Sequence, residues 1–269
     1  MCREPSAGFV VSVKAPADEG NIMLLENKTA VVYGGGGAMG GAVARAFARE
    51  GATVHLAGRT LAKLQKVAED ITTNGGRATT ALVDAYDSDS IAAHLASIDG
   101  PIDVCFNGVS VRETQDIALV SMSVEDFVRP VEDAARTNFL TSTAAARRMI
   151  EQGRGVILML SASSARESGF EMGGFSLACA SIECLTRTLA GEVGRYGVRV
   201  VALRPNFTPE THPEWNLGDD TLKPLIAGTA LGRLPKLSEV AGTAAFVASD
   251  HAGAMTGAVV NLTCGAIVD

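Results

Sequence analysis

Eight consecutive residues, Gly34-Gly35-Gly36-Gly37-Ala38-Met39-Gly40-Gly41, are the first place in this chain where residue types and spacing suggest chemistry. Glycines let backbone N–H groups approach a phosphate closely, and a helix beginning in such a run directs its positive end at the same anion. The apolar run TAVVY precedes these residues and the amphipathic AVARAFAREG follows. The order strand, glycine turn, helix is the one that holds a dinucleotide pyrophosphate, with Gly34, Gly36, Gly37, Ala38, Met39 and Gly40 as expected contacts. Arg59 and Thr60 stand roughly 20 residues on, at the end of a second apolar run, where an NAD site usually carries an acidic residue for the ribose 2′-hydroxyl. A guanidinium pairs a 2′-phosphate bidentately and a threonine hydroxyl adds a donor, so NADP(H) is favoured over NAD(H). The competing reading of Arg59 is a solvated residue at a helix start.

The remaining reactive side chains are dispersed. Cys2, Cys105, Cys179, Cys184 and Cys264 form no CxxC pair, and His55, His94, His212 and His251 have no metal-ligand spacing. Reduced thiols and no metal are expected. The balance of 23 Lys+Arg against 30 Asp+Glu gives a formal net charge of -7, which argues against a nucleic-acid or anionic-membrane surface. No apolar run approaches the roughly 18 to 20 residues of a membrane span, and the start lacks the apolar block and cleavage site of a signal peptide. Small molecules or other subunits are the expected partners, and a cytoplasmic location is expected.

These candidates need elements to position them. A length of 269 residues with 47% apolar residues suffices for one large domain. Residues 1–22 mix Pro, Gly, Ser and charges without periodicity and are expected to be a flexible extension; the domain is expected over 23–269, with Met23 a candidate start. Apolar runs at 29–33, 53–57, 78–83, 102–106, 155–160, 198–203 and 258–262 alternate with helical stretches. They predict an α/β fold: a Rossmann-like, doubly wound, seven-stranded parallel sheet in three layers, α/β/α, as a single domain. The first, fourth and fifth strands should end on one rim, where such a sheet has its ligand crevice. Only 205–228, rich in Pro, Thr and Asp, reads as a long excursion. Its Phe207, Trp215 and Leu217 are candidates for an apolar lid, or equally for a surface loop.

From Lys28 to Asp269 the chain resembles the short-chain dehydrogenase/reductase family on several motifs together. YGGGGAMG is similar to the family's TGxxxGxG, with Tyr33 for Thr and Ala38 for the middle Gly. Val83-Asp84-Ala85 is similar to its adenine-contacting segment, and IDVCFNGVS to its IDxLVNNAG, keeping Asn107 and replacing NAG by Gly108, Val109 and Ser110. RTNFLTSTAAARRM resembles the helix of the family's active-site Asn, which falls on Asn138. The C-terminal helix and strand are similar as well, with Cys264 for one Gly of the final pair and Pro205-Asn206 for a Pro-Gly turn. The resemblance implies an NAD(P)-dependent oxidoreductase acting on a small molecule, with Asp84, Ala85, Asn107, Gly108 and Pro205 beside the cofactor. It also implies a homodimer or homotetramer with helices 123–151 and 173–194 about a twofold axis. The small residues 141–146 would permit that close approach, or would pack inside the chain.

The departures from the family bear on function. Its Tyr-x-x-x-Lys falls on Phe175-Ser176-Leu177-Ala178-Cys179, so Tyr becomes Phe and Lys becomes Cys. In the family the Tyr phenol protonates the carbonyl oxygen as hydride arrives, while the Lys lowers the phenol pKa and holds the nicotinamide ribose. Phe175 has no proton to give, and a thiol at Cys179 is neutral and short. General acid catalysis is typically worth about 10²–10⁴ in rate, and ordinary ketone reduction should fall by at least that much. The family Ser falls without a gap on Ala162, and a shift of one residue brings Ser161 or Ser163 into its place. No relocated acid is evident: no Lys lies between Glu151 and Lys223, Tyr196 is far along the helix, and Arg166, Glu167 and Glu171 read as solvated loop charges. Three functions stay open. One is an NADP(H)-dependent oxidoreductase with a degenerate site, acting on a pre-activated acceptor such as an iminium. The others are a non-catalytic dinucleotide sensor or partner subunit, and a non-redox isomerase or cyclase reusing the crevice.

Overall fold

A strand of unbroken apolar residues needs cover on both faces, and alternation along each strand shows where that cover comes from. The computed structural model describes residues 23–168, 170–215 and 218–268. Its seven strands are β1 (Thr29–Tyr33), β2 (Thr53–Gly58), β3 (Arg77–Leu82), β4 (Val104–Asn107), β5 (Gly155–Leu160), β6 (Val198–Pro205) and β7 (Val259–Leu262). They form one parallel sheet in the order β3-β2-β1-β4-β5-β6-β7. The expected fourth strand begins two residues early. Along it the polar Asp103 is turned to other tasks, accepting the Thr29 N–H at 2.9 Å and pairing with Arg154 at 3.1 Å.

Helices α1 (Ala38–Arg49), α2 (Leu61–Thr73) and α7 (Leu237–Ala248) cover one face, where Val43, Phe47, Leu64, Val67 and Val247 meet Val32, Leu56, Phe106, Leu158 and Leu203. Helices α3 (Ser88–Ala96), α4 (Val124–Gln152) and α5 (Gly174–Val193) cover the other, where Ile91, Leu95, Ala134, Ala145, Met149 and Ile182 meet Val31, Cys105, Ile157 and Val200. The doubly wound, three-layer single domain is therefore as read from the sequence, because odd and even strand positions each have an apolar partner layer.

α4 starts on a Ser123 cap whose hydroxyl accepts the Asp126 N–H at 3.1 Å, and stops at Gly153 in left-handed conformation at φ 72. It packs along α5 so closely that a Cβ on Gly174 would collide with the Phe127 carbonyl. The small residues Thr141, Ser142, Ala145 and Ala146 are buried within the chain by this packing and the sheet, which is the intrachain alternative. The apolar side chains that α4 and α5 leave exposed are others, among them Phe139 and Leu177.

The 205–228 excursion is more regular than a loop: two short 3₁₀ turns, Pro209–Thr211 and Pro213–Trp215, lead into α6 (Asp219–Ala227). The Phe207, His212 and Trp215 rings stack on one another, His212 and Trp215 at 3.9 Å between centroids. Leu217, Cys2 and the expected extension over 1–22 lie outside the described residues. Among the described residues no helix is long and apolar enough to cross a membrane, and no group of three His, Cys, Asp or Glu is placed to hold a metal.

Candidate active site

The glycine turn after β1 is shaped by approaches that no side chain would survive. Gly34 has φ +74, and a Cβ on it would run into the Gly108 carbonyl after β4. Gly40, in the first turn of α1, presses on the Gly34 carbonyl, and a Cβ on Gly36 would come within 2.9 Å of the Lys63 side chain. Gly34, Gly36 and Gly37 line a cleft of ≈ 220 Å³ whose other walls include Arg59, Thr60, Lys63, Ala85, Tyr86 and Gly108. Gly37 caps α1 without any side-chain acceptor, and the first turn holds no acidic residue, so the positive end of the helix is uncompensated. Thr60 caps α2 without a side-chain hydrogen bond, which leaves its hydroxyl for a ligand. A backbone cradle that a Cβ would fill, beside two cationic side chains, fits a dinucleotide.

Other expected cofactor contacts stand behind this cleft. Ala38, Met39 and Gly40 belong to the helix and do not line it. Asp84 is exposed and folded onto its own turn, accepting the Tyr86 N–H at 3.0 Å, while its neighbour Ala85 is the wall residue. Asn107 is a brace: its amide donates to Thr141 of α4 at 2.8 Å and its oxygen accepts the Val109 N–H at 3.0 Å, which holds Gly108 in place. Pro205 is buried at the end of β6, away from the cleft lining.

Two wall residues were not anticipated. Lys63 stands in the first turn of α2 while Arg59 lies before the Thr60 cap, so no helical spacing links the two in the sequence. The Tyr86 ring has the Arg59 guanidinium 5.6 Å and the Arg112 guanidinium 5.9 Å from its centroid. Burial, then the Asp133 carboxylate that it bonds, pushes the Tyr86 phenol up. No sequence signal marks Tyr86, since the loop carrying Arg112 reaches it only in the fold.

Asn138, Ser163, Phe175 and Cys179 do not line the same cleft. Asn138 is buried in α4; its amide donates to the Ala134 carbonyl at 2.9 Å, and its side-chain oxygen has no partner. Phe175 is half-buried in the first turn of α5. One turn on, Cys179 is 2% exposed, and burial, followed by the Glu113 carboxylate, pushes its thiol up to about 12. That is the character of an inert thiol.

The serines divide. The Ser161 hydroxyl donates to Glu183 at 3.0 Å, and Glu183 is locked to Arg204 by bonds of 2.7 and 2.9 Å, a buried pair invisible in the sequence because 21 residues separate its members. Ser163 donates to Glu167 at 2.7 Å, with Asn206 Oδ1 at 3.2 Å. Glu167 is therefore not the solvated loop charge expected, because the 3₁₀ turn Ser163–Ala165 folds it back over Ser163.

The loop after β4 is pinned at two places. Arg112 bonds Asp133 of α4 through its backbone and guanidinium, at 2.9 and 2.6 Å among others, and Thr114 donates to Asp126 at 3.1 Å. Between them stands Glu113, a further functional candidate that the sequence did not reveal.

Comparison with known proteins bears on this geometry. The family described as enoyl-(acyl carrier protein) reductase matches residues 36–266. The 3-oxoacyl-[acyl-carrier-protein] reductase FabG of Chlamydia trachomatis is 30% identical over 246 residues, covering 90% of this chain and 98% of its own. A short-chain type dehydrogenase/reductase from Mycobacterium marinum superposes with TM-score 0.80 at 27% identity, over 93% of this chain and 98% of its own. A structure from Beutenbergia cavernae with bound NADP at low occupancy gives TM-score 0.81 at 26% identity, over 91% and 98%. Matched along nearly its whole described length, the chain belongs to the short-chain dehydrogenase/reductase family.

Proposed function

We propose that the protein is an NADP(H)-dependent oxidoreductase whose usual proton relay has been lost, with Phe175 and Cys179 in place of Tyr and Lys. The observation that carries the cofactor reading is the cleft itself, where the glycine turn opposes Arg59, Thr60 and Lys63. Two cations and a hydroxyl at the second strand's end suit a 2′-phosphate better than the ribose diol of NAD. Gly34, Gly36 and Gly37 would hold the pyrophosphate, Arg59, Thr60 and Lys63 the 2′-phosphate, and Ala85 and Tyr86 the adenine end. Bound there, the nicotinamide would supply or accept a hydride.

Phe175 and Cys179 offer no proton, so the acceptor is pre-activated, an iminium for instance, unless another group supplies the proton. Asn138 and Ser163 are the remaining polar groups of the expected catalytic set. The domain of this reading spans residues 23–269, with 1–22 an extension, and it works in the cytoplasm as a homodimer or homotetramer. The exposed Phe139 and Leu177 of α4 and α5 support an interface there.

Titration with NADPH and NADH, followed by nicotinamide fluorescence, tests the reading. NADPH should bind the tighter, and Arg59→Ala should weaken NADPH by about 10- to 100-fold, the value of a hydrogen-bonded charge, with little effect on NADH. Absence of binding to either cofactor would sink the redox reading. The inert Cys179 thiol favours a second reading, a dinucleotide sensor, which predicts binding without NADPH consumption.

A further inference from the structure

We propose that Glu113 is the proton donor and acceptor of this site, taking over the role of the missing phenol; the inference rests on the oxidoreductase reading and extends its acceptors from pre-activated ones to neutral carbonyls. Three observations place it. Glu113 stands three residues past Ser110, in the loop that continues from the cleft walls Gly108, Val109 and Ser110. Its neighbours on both sides, Arg112 and Thr114, are tied to Asp133 and Asp126 of α4, which fixes the segment without using the Glu113 carboxyl. A carboxyl held by anchored neighbours is positioned rather than tethered.

The second observation is an unmet bond. Glu113 Oε2 is shielded from solvent and has no hydrogen-bond partner, while Gln115 bonds the carboxyl from its own loop. Asn138 Oδ1 in α4 is likewise buried and unpartnered. Buried oxygens without partners are rare and call for an explanation, which a ligand or a proton would supply.

Third, the carboxyl is felt by the groups that matter. It raises the Cys179 thiol, which stands at the expected Lys position, and the charge of His212 in the excursion acts on it in turn. Burial, against the opposing pull of Gln115 and His212, raises the Glu113 pKa above the ordinary carboxylate range. A carboxyl whose neutral form is favoured by burial is the better placed to hold and give a proton. In the forward step the Glu113 O–H bond breaks as an O–H bond to the carbonyl oxygen forms, and the electron pair stays on the carboxylate. The carbonyl carbon meanwhile takes the hydride of NADPH, which leaves as NADP⁺, and solvent returns the proton to Glu113.

Carbon-13 NMR of the glutamate side-chain carboxyls in the cofactor-free protein tests the protonation state apart from activity. One resonance should titrate above all others, and it should vanish in Glu113→Gln with thermal unfolding unchanged. With NADPH, reduction of 9,10-phenanthrenequinone should fall about 10²–10⁴-fold in Glu113→Gln and recover in part in Glu113→Asp. Reduction of N-methyl-3,4-dihydroisoquinolinium, which needs no proton, and NADPH binding should both stay at wild-type values. Ordinary titration of every glutamate, or quinone reduction undiminished in Glu113→Gln, would overturn the proposal while leaving NADPH binding intact. A wild-type protein that binds no NADPH would instead remove the oxidoreductase reading on which the proposal stands.

Discussion

The residues that matter here are charged or reactive groups withdrawn from water, and each is tolerated for a reason in its surroundings. Arg204 and Glu183 are 2% and 5% exposed, so each needs the other's charge and the paired bonds between them. Removing one partner leaves a buried charge uncompensated. Arg204→Met is therefore expected to cost about 3–5 kcal/mol, and adding Glu183→Leu to recover most of it, measured by urea unfolding. The cysteines are separated by the same logic: burial pushes the Cys105 and Cys179 thiols up to about 12, while Cys184 is exposed. Iodoacetamide at pH 8 followed by peptide mass spectrometry should label Cys184 at least tenfold faster than Cys179 or Cys105, because only thiolate reacts. Fast labelling of Cys179 would instead show a reactive thiol at that position.

At the scale of elements, the site depends on two close approaches. The glycine turn meets the loop after β4 where Gly34 touches Gly108, so the first and fourth strands jointly shape the phosphate cradle. α5 meets α4 where Gly174 touches Phe127, and this contact sets the height of Phe175 and Cys179 over the sheet. A methyl at Gly174 can be accommodated only by parting the helices. Gly174→Ala should destabilise the fold by about 1–3 kcal/mol and shift the α5 chemistry, whereas Gly191→Ala on the same helix, with nothing near its Cβ position, should be neutral or stabilising. Equal unfolding midpoints for the two variants would show that the helix contact is not tight. The sequence makes these glycines visible but not their partners, since Phe127 and Gly108 come from elements far along the chain.

For the whole molecule, pH acts through the core. His94 of α3 is 7% exposed, its ring packs edge-on to Tyr33 at 6.1 Å between centroids, and its Nδ1 has no partner. Burial first, and His55 second, push its pKa down to about 4. Below about pH 6.5 an unfolded chain binds a proton that the folded chain refuses, so stability is full above that pH and declines as pH falls toward 4, by roughly 2–3 kcal/mol. A His94→Leu variant should lose this part of the acid limb in unfolding midpoints taken from pH 7 to pH 4. What the sequence alone determined is the part of the molecule governed by local pattern. Seven apolar runs, a glycine turn between strand and helix, and Arg59 at the second strand's end are properties of neighbours along the chain, so periodicity and conformational freedom reveal them. The tertiary structure decided what long-range packing governs. Lys63 and Tyr86 face the same cleft, Glu183 finds Arg204, Glu167 folds onto Ser163, and the anchored loop between β4 and α4 presents Glu113 with one oxygen unmet. Apart from the local turn that brings Glu167 to Ser163, none of these follows from spacing, because burial and electrostatic contact are set by which elements lie side by side, and in a doubly wound sheet neighbouring strands are distant in sequence.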